Sequence, residues 1–249
     1  MKGPGGVRGD ELPPGVHRVR ADNPSPLTLD GTNTYVHERW VIDPGPADPA
    51  HLDAVEAAAA DGIAGILLTH DHVDHSEGAP VLAERAGVEV VKPRGGDRPG
   101  PFEAIATPGH SPDHVCLLAG ELLFSGDTVL GEGSVFIQPG EGSMAAYLDS
   151  LRRLARLELE AICPGHGPIV WDPAAKLEEY IEHRLERERK IAAALDAGAR
   201  TRDEVLDRAW DDVDLDSQPY LRYAAGLTLD AHVEKLVEEG RLAAAPWEG

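Results

Sequence analysis

The chain is poor in cysteine, in aromatic side chains and in positive charge. Its 249 residues include 2 Cys, aromatic residues make up 5% of the chain, and 23 Lys and Arg stand against 44 Asp and Glu, a formal net charge of −21. Two cysteines, Cys116 and Cys163, are too few for a disulfide framework, which suits a reducing cytoplasm. The excess of negative charge argues against non-specific binding to nucleic acid or to anionic membranes.

Long apolar runs are missing as well. No segment approaches the roughly 18 consecutive apolar residues of a membrane span, and the Gly- and Pro-rich first 15 residues lack the apolar core of a secretory signal. We therefore expect a cytoplasmic protein that does not bind membranes and that begins with a flexible arm over residues 1–15. Hydrophobic residues still make up 42% of the chain, which is enough for a packed core.

Short apolar runs alternate with helical patterns between residues 16 and 172. The run IAGILLTH (63–70) has no polar alternation, as in a strand that is buried on both faces. Similar runs follow at 88–93, 102–108, 114–120, 121–127 and 160–166, and the segment 144–157 carries an apolar stripe at helical spacing. This pattern predicts an α/β domain over 16–172, with strands between helical layers.

The composition changes after residue 172. A highly charged connecting helix is predicted over 173–198, and residues 199–249 indicate a small domain of two helices and a closing strand at RLAAAPW (241–247). The second of these helices carries four acidic residues against one lysine, so we do not expect sequence-specific DNA binding. The tail either walls the substrate cleft or forms a homodimer contact, and the sequence leaves both open. The expected inner face of the connecting helix is Leu177, Ile181, Leu185, Ile191 and Leu195.

Histidine, in contrast, is abundant, with 11 residues. Three histidines and two aspartates fill five of the six positions 70–75 in the segment THDHVDH, directly after the buried strand: His70, Asp71, His72, Asp74 and His75. Polar groups at the C-terminal end of a buried strand need partners, and α/β folds place their sites there. Imidazole and carboxylate are the usual nitrogen and oxygen ligands of zinc. Asp71 is expected to stand beside the ligands and to fix a histidine tautomer.

Three later strand candidates also end in a ligand-type residue beside a glycine, which allows a sharp turn of the backbone. They are IATPGH with His110, LLFSGD with Asp127 and ICPGH with His166. Together with the first cluster they supply five histidines and two aspartates, an inventory that suits two metal ions with a shared carboxylate. The glycine-rich run GEGSVFIQPGEG after Asp127 is expected to form a rim or lid over the metals.

The segment THDHVDH, followed by these separated residues, resembles the metallo-β-lactamase-fold hydrolases. The resemblance implies a four-layer αβ/βα sandwich, followed here by a small C-terminal helical or winged-helix domain. It also implies two Zn²⁺ ions, or other divalent metals, with Asp127 as the bridge and Asp43 as a structural aspartate. By the resemblance, His70, His72 and His110 hold one metal, and Asp74, His75 and His166 hold the second.

Longer segments are similar to the β-lactamase-like protein 2 group, whose fold carries a C-terminal winged helix. These segments are NPSPLTLDGTNTYV, TPGHSPDHVCLL, FSGDTVLGEGSVF and CPGHGPIV. Characterised members of this type include a single-strand-specific endoribonuclease and thioesterases that act on carrier-bound polyketides. Asp127 stands where true β-lactamases commonly have cysteine, so we do not expect antibiotic hydrolysis as the main role.

The implied activity is that of a zinc-dependent hydrolase. Two zinc ions would lower the pKa of a bound water towards about 7, and the metal-bound hydroxide would attack a carbonyl or phosphoryl centre. Asp74 is expected to orient the nucleophile, and His114, four residues after His110, to support a ligand or relay a proton.

Net charge favours a small ester or thioester substrate, carried on coenzyme A or on a carrier protein, because an acidic surface repels phosphates. The alternative is endonucleolytic cleavage of single-stranded RNA. A basic track that would serve RNA comprises Lys92, Arg94, Arg98, Arg152, Arg153 and Arg156.

Overall fold

The sequence also predicts a hairpin that turns at Glu38 and Arg39, and the first of two β-sheets is built around it. The computed structural model describes residues 11–247, so residues 1–10 of the expected arm lie outside the described residues. Both turn residues of the hairpin, Glu38 and Arg39, have positive φ (49° and 67°), as a type I′ turn between twisted strands requires. The first three strands pair antiparallel and the last three parallel. In sheet order they are β1 (Val16–Arg20), β2 (Asn33–His37), β3 (Trp40–Ile42), β4 (Gly65–Leu67) and β5 (Val90–Val91).

The second sheet forms from the later apolar runs, each of which becomes a strand as predicted. Its strands are β6 (Glu103–Ala106), β7 (Val115–Ala119), β8 (Leu122–Gly126) and β9 (Ala161–Pro164), in that order. Strand β7 is antiparallel to both β6 and β8, and β9 is parallel to β8. Strands β6, β8 and β9 therefore run in one direction, and their carboxyl ends meet at one edge of the sheet.

Helices cover the outer face of each sheet, which gives the expected four layers. Between the sheets, Ile42 and Leu67 pack with Leu117 and Phe124. The outer face of the first sheet packs on α1 (Pro49–Ala58) and α3 (Ala79–Ala86), and a single turn, α2 (Val73–Ser76), precedes α3. The second sheet is covered by α4 (Met144–Leu154), whose predicted apolar stripe is fully buried.

The C-terminal region is helical throughout its described part, with α5 (Pro173–Asp196), α6 (Arg202–Ala209) and α7 (Pro219–Glu238). The sequence predicts the second helix of the tail over 227–240, but α7 begins earlier, at Pro219, because proline suits the first turn of a helix. The strand expected at 241–247 is not formed in the described residues, and no β-wing is seen in residues 11–247. The expected winged-helix domain is thus not confirmed in the described residues. None of the helices described is both long and apolar enough to cross a membrane.

Helix α5 connects two hydrophobic cores. Its first half places Leu177 and Tyr180 in the core beneath α4, and its second half places Ile191 and Leu195 in a separate core with α6 and α7.

The inner face predicted for α5 is partly wrong. Ile181 and Leu185 are only partly buried, whereas three charged side chains between the two cores are buried: Arg184, Arg187 and Glu188. The reason is that this stretch meets polar partners, the carbonyl oxygens of Val135 and Ala209 and the ammonium of Lys235.

Candidate metal centre

The topology brings all seven predicted ligands to one place. His70 and His72 follow β4, Asp74 and His75 lie on α2, and His110, Asp127 and His166 follow β6, β8 and β9. Because β6, β8 and β9 run in one direction, the loops that follow these strands emerge at the same edge of the sheet. The two sheets are joined there by a hydrogen bond from the backbone N–H of Val115 to the carbonyl of Thr69, 2.9 Å long.

One ligand group comprises His70, His72, His110 and Asp127, whose ligand atoms all lie within 4.8 Å of one another. Nδ1 of His72 is 3.0 Å from Nε2 of His110. The Nδ1–H of His110 donates to the carbonyl oxygen of Phe136 over 2.9 Å, so its Nε2 carries a free lone pair. In His70 the Nδ1 contacts the hydroxyl of Thr69, which leaves Nε2 for the site.

The second group comprises Asp74, His75 and His166. Oδ2 of Asp74 lies 3.3 Å from Nε2 of His166 and 3.5 Å from Nε2 of His75. The opposite nitrogens of these rings are bonded to oxygen acceptors: Nδ1 of His75 donates to Asp43, and Nδ1 of His166 donates to the carbonyl of Gly31. Both histidines therefore present Nε2 to the same point.

Asp127 stands between the two groups. Its Oδ1 is 3.4 Å from Nε2 of both His75 and His166, and its Oδ2 is 3.6 Å from Nε2 of His110. The geometry is that of a carboxylate able to bridge two ions.

The chemistry of the donors fits metal ions. Nε2 of His70 and Oδ1 of Asp127 are buried and have no hydrogen-bond partner in the described residues. Leaving such atoms unpartnered costs free energy, so native proteins pair them with water, an ion or another group. Five imidazoles and two carboxylates around these atoms form a nitrogen and oxygen donor set that suits zinc or iron.

Electrostatics at the site favour positive charge. Burial opposes protonation of His166, but the carboxylates of Asp127 and Asp74 outweigh it and raise its pKa to about 9. Burial likewise opposes ionisation of Asp127, yet His166 and His75 hold its pKa well below the usual range. A cation placed between these carboxylates gains the same stabilisation.

The carboxylate that orients a metal-site histidine is Asp43, and the expectation for Asp71 is wrong. Oδ2 of Asp43 accepts the Nδ1–H of His75 at 2.9 Å and the hydroxyl of Thr69 at 2.6 Å, and Oδ1 accepts the Thr69 backbone N–H. Asp71 is exposed and pairs with Lys92. The signal for Asp43 was its place at the end of β3, a strand parallel to β4.

His114 lies behind the ligands. Its Nε2 accepts the backbone N–H of Asp127 at 3.0 Å, and its Nδ1 lies 3.0 Å from the hydroxyl of Thr107 and 3.2 Å from that of Thr128. The ring stacks on His70, and burial holds its pKa well below the usual range. Both ring nitrogens are thus engaged by contacts to Asp127, Thr107 and Thr128, and the side chain is buried.

A cavity of about 790 Å³ opens from the metal centre towards the C-terminal helices. His72, Asp74, His110, Asp127 and His166 lie at one end of it. The expected glycine-rich rim after Asp127 contributes to its lining, and so do residues of α5 and α7. Sequence reasoning left open whether the tail contributes to the cleft, and in the structure it does.

Two family models match the chain within this part of the fold. The metallo-beta-lactamase superfamily model matches residues 93–166, and the beta-lactamase superfamily domain model matches residues 38–106.

Curated relatives extend the match to most of the chain. A beta-lactamase-like protein 2 homolog from Drosophila melanogaster is 33% identical over 91% of this chain and 89% of its own length. Lactamase-like protein nscB from Trichophyton rubrum is 36% identical, covering 76% of this chain and 67% of the relative. An atrochrysone carboxyl ACP thioesterase from Aspergillus fumigatus is 32% identical over 75% of this chain and 66% of the relative. The chain belongs to the metallo-β-lactamase superfamily.

Solved structures agree on the fold. A beta-lactamase domain protein from Burkholderia ambifaria superposes with a TM-score of 0.78 at 20% identity, covering 92% of this chain and 88% of that one. A metallo-beta-lactamase family protein from Thermus thermophilus has a TM-score of 0.72 at 23% identity, covering 95% and 98%. A third protein, solved in a di-iron-bound form, is 29% identical with a TM-score of 0.54, covering 68% and 97%.

Proposed function

We propose that this protein is a dinuclear zinc hydrolase that cleaves thioesters of acyl groups carried on coenzyme A or on a carrier protein. The observation that carries the proposal is the position of Asp127, which turns one carboxylate oxygen to each histidine group. A relative named as a carrier-protein thioesterase supports the choice of bond. The reaction adds water across the C–S bond and releases a carboxylic acid and a thiol.

The two ions would be held by His70, His72 and His110 on one side and by Asp74, His75 and His166 on the other, with Asp127 between them. When bound, such ions supply an activated water and stabilise negative charge on the carbonyl oxygen. The di-iron form of a related structure makes iron the second metal to test.

Asp74 is the residue of the chain best placed to orient the attacking water. Its side chain is 25% exposed, against 12% for Asp127, and it lines the cavity. Nε2 of His166 lies 3.3 Å from Oδ2 of Asp74, so one carboxylate oxygen is held while the other remains available as an acceptor.

The apolar lining of the cavity supports an acyl substrate over RNA, and the pairing of three of the six residues of the basic track adds to that support. Leu27, Leu29, Val73 and Val135 give the cavity apolar walls. In the basic track, Lys92, Arg98 and Arg152 form ion pairs with carboxylates. Paired cations of this kind offer little net attraction to a phosphate backbone.

The test is a parallel assay of zinc-loaded and iron-loaded protein on acyl-CoA, on S-acyl pantetheine and on labelled single-stranded RNA. We expect thioester hydrolysis that falls at least 100-fold in Asp127→Asn, together with loss of bound metal measured by mass spectrometry. Asp71→Asn is the matched control, since this neighbouring carboxylate is exposed and paired with Lys92. RNA cleavage that depends on Asp127, with inert thioesters, would replace this proposal by the endoribonuclease.

A further inference from the structure

Helix α5 places two guanidinium groups in the wall of the cavity, and they differ in their partners. Arg187 is fully engaged: its Nη1 lies 2.9 Å from Oδ1 of Asp212 and contacts the carbonyl of Ala209, and its guanidinium lies over the ring of Trp210. Arg184, one helical turn earlier, forms no ion pair with any residue that the structure describes. It therefore brings an uncompensated positive charge to the cavity.

The contacts of Arg184 supply no negative charge. Arg184 is only 2% exposed. Its Nη2 donates to the carbonyl oxygen of Val135, and its Nε has no hydrogen-bond partner among residues 11–247. The guanidinium lies 5.5 Å from the centre of the Tyr147 ring. Tyr147 donates its hydroxyl proton to the carbonyl of Thr128, and burial raises its pKa well above the usual range, so the ring stays neutral. A buried charge without a counter-charge is costly, which makes Arg184 a receptor for an anion.

Arg184 lies at the floor of the cavity rather than at its mouth. Its neighbours Tyr147 and Val135 are 0% and 2% exposed. The exposed apolar side chains that line the cavity, Leu27, Val73 and Tyr220, mark its solvent side. The thiol arm of a thioester must leave towards solvent, since it is attached to a large carrier. The acyl group must then extend inward from the metal centre.

We propose that Arg184 binds a carboxylate at the far end of the acyl group, so that the substrates are thioesters of acyl chains that carry a second, anionic terminus. The inference rests on the proposed function for the orientation of the substrate. The guanidinium would form charge-assisted hydrogen bonds with the carboxylate, which are about twice as strong as neutral ones. The methylene groups of the acyl chain would contact the apolar walls of the cavity. The terminal charge and the length of the acyl chain would therefore both determine which substrates bind.

The test compares two S-acyl pantetheine thioesters of equal length, one ending in a carboxylate and one in a carboxamide. For the zinc-loaded protein we expect kcat/KM at least tenfold higher for the carboxylate. Arg184→Gln should lose this preference, through a larger rise in KM for the carboxylate than for the carboxamide, and Arg184→Lys should retain part of the preference. Arg189→Gln is the control, because Arg189 lies on the exposed face of α5 and pairs with Glu182 and Glu186. Equal losses on both substrates would show a structural role for Arg184 and overturn the inference.

A binding measurement separates this inference from the proposed function. Zinc-loaded protein is titrated with a linear dicarboxylate and with its monoamide, which offer the metal the same first carboxylate. A tenfold preference for the dicarboxylate that Arg184→Gln abolishes supports the anion site even if no thioester is cleaved. Thioester hydrolysis without any preference leaves the proposed function standing and refutes the anion site. An effect of Arg184→Gln seen with acyl-CoA but not with acyl pantetheine would assign Arg184 to the phosphates of the arm and also overturn the inference.

Discussion

Oδ2 of Asp43 lies 2.9 Å from Nδ1 of His75, on the side of the ring that faces away from the other candidate ligands. The carboxylate fixes the tautomer in which Nε2 of His75 is directed towards Asp74, Asp127 and His166. Since Asp43 also accepts two hydrogen bonds from Thr69, it ties the end of β3 to the residue that precedes His70.

Asp43→Asn should therefore weaken metal binding. An amide has one acceptor oxygen, so either His75 or Thr69 loses its partner, and the loss of such outer hydrogen bonds typically costs 10–100-fold in metal affinity. A zinc titration against a competing chelator measures the change. Asp71→Asn, which alters an exposed carboxylate beside the ligands, should leave the affinity unchanged. Equal affinities for Asp43→Asn and wild type would contradict the orienting role.

His114→Phe should destabilise the fold and lower activity together. The backbone N–H of Asp127 would lose its acceptor, and an unsatisfied buried donor costs about 1–3 kcal/mol of unfolding free energy. His114→Gln, whose amide oxygen can accept the same hydrogen bond, should recover part of both losses. Denaturant unfolding and kcat/KM measured on the same samples test this. A proton relay would instead show itself as an altered shape of the pH–rate profile with unchanged stability.

Gly165→Ala should damage the metal centre directly. A Cβ at this position would lie 2.6 Å from Oδ1 of Asp127 and 2.7 Å from Cε1 of His75, so one of these side chains must move. We expect a zinc affinity at least tenfold lower, with circular dichroism unchanged. Gly87→Asn is a suitable control, since that glycine has open space around it and asparagine tolerates its positive φ. Full zinc affinity in Gly165→Ala would mean that the site is wider than the structure shows.

His232 should make the protein less stable in mild acid. Its ring is fully buried, Nδ1 is 3.9 Å from Oε2 of Glu188, too far for a hydrogen bond, and Arg184 and Lys235 lie nearby. Burial, ahead of the opposing effect of Glu188, lowers the pKa of His232 to about 4, from 6.5 in the unfolded chain. The unfolded state then binds more protons than the folded state, so the stability present above pH 6.5 is lost as the pH falls from 6.5 towards 4.

The measurement is denaturant unfolding with a chelator present, at pH 7.5 and at pH 5.5. Wild type should lose on the order of 1 kcal/mol more than His232→Phe across this interval. Replacing the exposed His17 by Gln serves as the control and should behave as wild type. An identical pH dependence in wild type and His232→Phe would show that His232 does not titrate in this window.

The strands and the clustered ligands were predictable because local pattern determines them. A run such as 63–70 is apolar on both faces, and the polar residues that follow it need partners wherever the fold places them. The partners of His75 were not predictable in this way. Asp71 is near in sequence but points to Lys92, whereas Asp43 is 32 residues away and is brought in by the parallel pairing of β3 and β4.

The burial of charged residues on α5 could not be predicted from local pattern either. Charged residues at helical spacing normally indicate a solvated face, so the pattern places Arg184, Arg187 and Glu188 in solvent. Their burial depends on carbonyl oxygens and charges that belong to other elements, such as Lys235 on α7, at 2.7 Å from Glu188. No window of the sequence around residue 184 contains that information. The start of α7 did have a local signal, Pro219, but the acidic residues that precede it favour a loop.

The division of the cavity between two stretches of chain has an evolutionary consequence. The seven ligands that we propose all come from residues 70–166, whereas residues 183–228 supply another part of the cavity wall. Mutations in residues 183–228 can therefore change which molecules bind in the cavity while the proposed ligands stay unchanged. Relatives that share one catalytic apparatus can diverge in substrate choice through their last three helices alone, and chimeras that exchange those helices would transfer preference without transferring chemistry.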